Sequence, residues 1–182
     1  MLQLQNKDKF EKMIHTAAIL TEVLMEYNIK PIVVGGLSVE IYSMNGYMTH
    51  DLGFVLNGLE QTKMILQELE FEKVGKDWIH PKLGISLEIP SNELTGDYGK
   101  VTELLIGEKT IYVIGLEDII LDRLRSAIHW QSGVDREWGY RLFIMYFEQL
   151  DIAYMRSTIH HPKELNELQL WIKKTTEDKG HE

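Results

Sequence analysis

The sequence predicts an α/β fold: a small mixed β-sheet flanked by helices, followed by a helical C-terminal region. Three patterns carry this reading. Apolar residues recur at helical spacing before the first strand. Short apolar strand segments then alternate with helices and glycine turns as far as residue 115. From Leu116 onward the spacing is helical throughout.

Between Lys7 and Tyr27, Phe10, Met13, Ile14, Ala17, Leu20 and Leu24 form one helical stripe, which Asn28 ends. Ile32-Val33-Val34 is a short, wholly apolar strand broken by Gly35-Gly36, and Leu37 to Met44 reads as a helix closed by Asn45-Gly46. Leu52 to Leu56 is a second strand. Leu59 to Leu69 is helical, with Leu59, Met64, Leu66 and Leu69 expected on its inner side. Phe71–Val74, Trp78–His80 and Ile85–Ile89 read as short strands, and Val101–Ile106 with Thr110–Ile114 as a hairpin across Gly107-Glu108-Lys109. In the next helix Leu116, Ile119, Ile120, Leu124, Ala127 and Ile128 make the apolar stripe, with Glu117, Asp118, Asp122, Arg123 and Arg125 off it. Helices over Val134–Leu150, Ile152–Ile159 and Lys163–Lys174 complete the chain. The expected organisation is a core over 1–115, a helical region over 116–174 and a disordered tail over 175–182.

The 182 residues suffice for one domain, alone or with a small helical appendage, and an apolar content of 44% is ordinary for a globular chain. The absence of cysteine excludes disulfides and thiolate metal sites. Met1 to Lys12 is polar, unlike a signal peptide, and no apolar run approaches the ~20 residues that span a bilayer, so the expected location is the cytoplasm with no membrane partner. A net charge of -9 and a pI near 5.3 argue against an extended nucleic-acid surface. A small nucleotide stays compatible, since it needs only a local cationic pocket and a metal.

A strand running into Gly35-Gly36 and then a helix leaves backbone N–H groups free at a helix start, where a phosphate can approach closely. A tight structural turn explains the same residues. The interval from Gly36 to Asp51 fits one short helix and a turn, which returns Asp51 to the glycine turn on a neighbouring strand. A further acid, Glu88, lies inside Ile85-Ser86-Leu87-Glu88-Ile89, and period-2 alternation sets it on the Ser86 face, opposite Ile85, Leu87 and Ile89. Carboxylates gathered at strand ends beside a phosphate cradle are how Mg²⁺ is held for phosphoryl or nucleotidyl transfer.

Gly-Gly, a helix, Thr49-His50-Asp51-Leu52 on a strand and a later acid on a third strand resemble the polymerase-beta-type nucleotidyltransferase fold. More closely, the chain resembles small bacterial nucleotidyltransferase-like proteins related to abortive-infection and toxin–antitoxin components. The likeness spans about Ile32 to Phe143. It implies that Gly35, Gly36 and Ser38 bind the triphosphate of an NTP, that Asp51 is the first metal acid, and that Glu88 is the third, helping to activate the attacking hydroxyl. Arg123 would face the nucleotide phosphates, and Asp135 matches an acid before the following helix. Gly53 stands where the second metal acid belongs. Asp51 and Glu88 could then hold one Mg²⁺ but serve a two-metal reaction poorly. Either the chain is a degenerate, non-catalytic member or another acid substitutes. Glu40, one helical turn after Gly36, is the nearest candidate; a solvated helix position or a partner for His50 explains it equally.

Other conspicuous residues have structural readings. His50 is expected on the opposite strand face as a satisfied histidine, and Trp78 in the core, although it could stack a base. His129 is expected to cap carbonyls at a helix end. His160-His161 point in different directions and lack further ligands for a metal. Trp138, Phe143, Met145 and Tyr146 could form an apolar partner face, with core packing the default. Three functions are compatible with these features: Mg²⁺-dependent transfer of a nucleoside monophosphate from an NTP to a hydroxyl; a catalytically inactive nucleotide- or protein-binding module, such as a toxin–antitoxin-like partner; or a structural homodimer.

Overall fold

The structure is a computed structural model and describes residues 2–179. The chain divides into two compact units, Met1–Gly115 and Leu116–Glu182.

The first unit is built on one mixed sheet of seven strands in the order β3-β4-β5-β2-β1-β7-β6. These are β1 (Ile32–Val34), β2 (Asp51–Val55), β3 (Glu72–Val74), β4 (Asp77–His80), β5 (Ile85–Ser91), β6 (Thr102–Ile106) and β7 (Lys109–Val113). Helix α1 (Lys9–Met25) starts where the Asp8 carboxylate accepts the Glu11 amide at 2.8 Å. It ends at Met25, and Asn28 turns the chain away in the left-handed conformation (φ 58°) that asparagine tolerates. Its face of Met13, Ala17, Leu20 and Leu24 is buried, as are Val33, Leu52, Phe54, Ile111 and Val113 from the sheet. Each fully buried aliphatic side chain contributes roughly 1.5–3 kcal/mol relative to exposure. Helix α2 (Gly35–Tyr42) connects β1 to β2, and α3 (Leu59–Glu68) leads from β2 to the edge strand β3.

The central pairings set the site. β2 runs antiparallel to β1, with Val34 opposite Gly53, and parallel to β5, with Asp51 opposite Ser86 and Gly53 opposite Glu88. Beyond Glu88 the register shifts, so that Val55 pairs with Ser91. Pro90, which has no N–H to donate, lies in the irregular stretch. Leu52, Phe54, Ile85, Leu87 and Trp78 are buried. Asp51, Gly53, Ser86 and Glu88 alternate with them on a half-exposed face.

The second unit is helical: α4 (Leu116–His129), α5 (Gly133–Met145), α6 (Ile152–Ser157) and α7 (Pro162–Lys179), with a 3-10 turn at Phe147–Gln149. Ser132 caps α5 by accepting the Asp135 amide at 3.2 Å. Phe143 is fully buried, with its ring 5.4 Å from Phe147 and 5.8 Å from Trp171.

Several expectations need correcting. In α3 the buried residues are Thr62, Ile65 and Leu66, while Leu59 and Met64 are exposed; Thr62 can turn inward because its hydroxyl donates to the Gly58 carbonyl at 3.0 Å. In α4 Glu117 and Asp118 are buried. Glu117 Oε1 accepts the Asp151 amide at 3.0 Å and Asp118 Oδ1 accepts the Tyr154 hydroxyl at 2.6 Å. No single apolar face joins Trp138, Phe143, Met145 and Tyr146: Phe143 is core, Met145 is exposed, and the Arg141 guanidinium lies 4.8 Å over the Trp138 ring. Helix α7 continues to Lys179, through most of the expected tail; 180–182 lie outside the described residues. Among the described residues no helix is long and apolar enough to cross a membrane.

Candidate functional site

The turn from β1 into α2 begins at Gly35, whose φ of +67° few side chains adopt. A Cβ built there meets nothing within 4 Å, so the backbone is open on that side. Val34, ahead of the helix, makes no side-chain cap bond. Gly36 differs. Its missing side chain leaves a notch that Thr49 fills: a Cβ there would lie 2.2 Å from Thr49 Oγ1 and 2.8 Å from Thr49 Cβ. The first glycine thus leaves room for a ligand, and the second lets the β2 entry close onto the turn. Ser38 is fully buried and its hydroxyl donates to the Gly35 carbonyl at 2.7 Å, bracing the turn.

Thr49 organises the entry into β2. Its hydroxyl donates to Asp51 Oδ1 at 3.0 Å, and its amide donates to Glu40 Oε2 at 3.1 Å. Glu40 is buried, which pushes its carboxyl above the usual range, although the Thr49 amide and the charge of Lys9 oppose that rise. Glu40 is therefore neither a solvated helix residue nor a hydrogen-bond partner of His50; it holds the Thr49 segment in place. His50 is exposed, with Nδ1 2.7 Å from Lys9 Nζ.

On the neighbouring strand Glu88 shares the face of Asp51 and Gly53. Its carboxylate accepts from Lys76 Nζ at 2.7 Å. Lys76 sits at the tip of the β3–β4 hairpin, after Gly75 (φ +61°), and folds back over the sheet. The hydrogen bond to Glu88 and its charge raise the lysine's pKa, and Asp77 and Asp51 add to the effect. Extending the pairing of Trp78 with Leu87 by one residue sets Asp77 across from Glu88. Lys76 and Asp77 carry no functional signal in the sequence, because only the hairpin brings them to this face.

These donors are hard carboxylate oxygens of the kind Mg²⁺ takes. Among the described residues, no trio of His, Asp and Glu donors converges at Asp51 and Glu88. Asp51 and Glu88 supply the donor chemistry of a single ion, with Lys76 now on Glu88, and the carboxylates of a two-ion set are lacking among the described residues. A second acid at position 53 would place a Cβ 3.1 Å from the Val34 carbonyl oxygen and 3.4 Å from Val34 Cγ2, so the Val34 backbone would have to give by a few tenths of an ångström.

Arg123 lies in the helical unit. Its Nη1 donates to Asp135 Oδ1 at 2.7 Å and its Nη2 to Asp122 Oδ2 at 2.6 Å. His129 does not cap α4; its Nε2 lies 2.6 Å from Glu164 Oε1.

No family model and no curated protein matches the chain. Solved structures do resemble it. An antigenic nucleotidyltransferase-like protein from Paracoccidioides brasiliensis superposes with a TM-score of 0.58 at 16% identity, over 96% of this chain and 90% of its own. The crystal structure of ANT(2")-Ia in complex with adenylyl-2"-tobramycin gives a TM-score of 0.55 at 16% identity, over 82% of this chain and 98% of its own. The solution structure of the antibiotic-resistance factor ANT(2'')-Ia gives 0.52 at 14%, over 94% and 95%. The chain has a nucleotidyltransferase-like fold.

Proposed function

We propose that the chain binds a nucleoside triphosphate beside Gly35 and transfers its nucleoside monophosphate to a hydroxyl acceptor, slowly because Gly53 replaces an acid. The observation that carries the proposal is the register: Asp51 and Glu88 lie on one face of adjacent parallel strands, next to an open glycine turn. In this reading the phosphates approach the backbone at Gly35 and the start of α2. Asp51 and Glu88 would hold one Mg²⁺, which when bound supplies charge neutralisation on the phosphates. The Thr49 hydroxyl orients Asp51. Glu88, once released by Lys76, can accept the proton of the attacking hydroxyl. The likeness to a protein solved with an adenylylated tobramycin supports ATP as the first donor to try.

A second reading has its own observation. With Gly53 in place of an acid and the Lys76 ammonium on Glu88, the same face suits a nucleotide- or protein-binding module without catalysis, such as a toxin–antitoxin-like partner. Calorimetry with ATP, GTP, CTP and UTP, with and without Mg²⁺, tests both. Mg²⁺-dependent binding that weakens at least about tenfold in Asp51→Ala is the expected result. Absence of binding to every nucleotide overturns both nucleotide readings. Gly53→Asp then separates them: Mg²⁺-dependent release of pyrophosphate gained only in the variant marks wild type as a binding module.

A further inference from the structure

We infer that His129, His161 and Glu164 form a second site, within the helical unit, for one divalent transition-metal ion of the Zn²⁺ or Ni²⁺ class. In sequence His161 lacks further ligands; the fold supplies them. His129 is the last residue of α4, His161 immediately precedes α7, and Glu164 lies in the first turn of α7. Each offers a ligand atom, and these atoms lie within 4.8 Å of one another. The rings of the two histidines meet edge to face, with centroids 5.1 Å apart.

The carboxylate is what distinguishes this trio from surface histidines. Glu164's side chain is 8% exposed at the foot of two exposed imidazoles. Its Oε2 accepts from Arg125 Nε at 3.4 Å, while Arg125 Nη2 donates to the Thr158 carbonyl at 3.2 Å. Oε2 is thereby held and Oε1 turned to His129 Nε2, 2.6 Å away. An ion would insert into that contact, displacing the proton between the two atoms. Zn²⁺ with bonds of ~2.0 Å holds neighbouring donors roughly 3.3 Å apart, so exposed His129 would draw back from Glu164 Oε1, now 2.6 Å away, and exposed His161 would rotate to complete the set. The Lys163 amide, which donates to His161 Nδ1 at 3.2 Å, is exposed and can turn to water. Two imidazoles and one carboxylate select Zn²⁺, Ni²⁺, Co²⁺ or Cu²⁺ over Mg²⁺ and Ca²⁺. Bound metal would clip the end of α4 to the start of α7, with coordination positions left to water.

The test titrates ZnCl₂, NiCl₂ and CoCl₂ into the full chain in buffer containing millimolar Mg²⁺, by calorimetry, Co²⁺ visible absorption and thermal melting. Expected are one ion per chain, a Tm rise with metal, and affinity at least about tenfold weaker in His161→Ala and in His129→Ala. His160→Ala, the adjacent histidine, keeps wild-type affinity. Glu164→Gln also loosens Arg125, so its metal-free melt is compared first; exposed His161 carries the test without that complication. No binding, or binding unchanged in both His129→Ala and His161→Ala, overturns the inference.

Discussion

Asp51 and Arg123 stand out equally in the sequence, yet the fold treats them differently. Asp51 lies half-exposed on an open sheet face beside a glycine turn that leaves room for a ligand, and a neutral hydroxyl is the contact on its Oδ1. Arg123 is held by two carboxylates, Asp122 and Asp135, within the helical unit, where Glu117 and Asp118 are likewise engaged and buried. At Asp51 the sheet unit leaves charge available, although Lys76 pairs with Glu88 on the same face. The helical unit uses charge to fasten helices to one another. Conspicuous charge is thus a guide to function only where the structure leaves it lightly committed.

The largest effect expected on this contrast comes from Gly36→Ala. The added Cβ would fall 2.2 Å from Thr49 Oγ1, and Thr49 is a short side chain that cannot swing away without releasing Asp51. A loss of about 1–3 kcal/mol in stability is expected, together with loss of nucleotide binding even below the lowered Tm. Thermal melts paired with calorimetry check this. Normal nucleotide affinity in the variant would show that Thr49 does not organise the site.

Arg123→Met comes next. Removing the guanidinium leaves Asp135, whose side chain is 22% exposed, without this cation, while half-exposed Asp122 turns to water, and a loss of about 1–3 kcal/mol is expected. Nucleotide Kd should stay within about twofold of wild type. A tenfold rise in Kd with an ordinary melt would instead make Arg123 a phosphate ligand and break the contrast.

Periodicity made much of the architecture legible. The wholly apolar Ile32–Val34 reads as a strand, and the Leu116–His129 stripe as a helix, because burial alone dictates both patterns. The pattern failed where a polar residue turns inward on a local hydrogen bond, as Thr62 does on Gly58. Asp51, Glu88 and the two glycines are visible in the chain, but their mutual placement depends on the non-local pairing of Gly53 with Glu88. Thr49 belongs to a visible motif, while its place in the notch at Gly36 is a matter of three-dimensional packing. Lys76 is unreadable as a site residue because a hairpin tip carries no periodic signal. His129 and Glu164 are separated by 35 residues, too far for spacing to connect them.

Glu40→Gln is the finest test of how the sheet unit holds its charge. Burial raises the Glu40 carboxyl above its ordinary 4.5. The folded state therefore binds its proton more tightly than the unfolded state does. The stability this brings is fully present below the unfolded pKa and is lost as pH rises through the folded one. Above its folded pKa the carboxylate is ionised at some expense to folding, and glutamine presents the same acceptor oxygen to the Thr49 amide without charge. Glu40→Gln should be more stable than wild type at pH 7.5, with the gap closing as the pH approaches 4.5. Urea melts across that range check it. Because Glu40 reaches the site only through the Thr49 amide, Mg²⁺-dependent nucleotide affinity should not change. A tenfold loss of affinity in Glu40→Gln would mean that the buried acid takes the place left by Gly53.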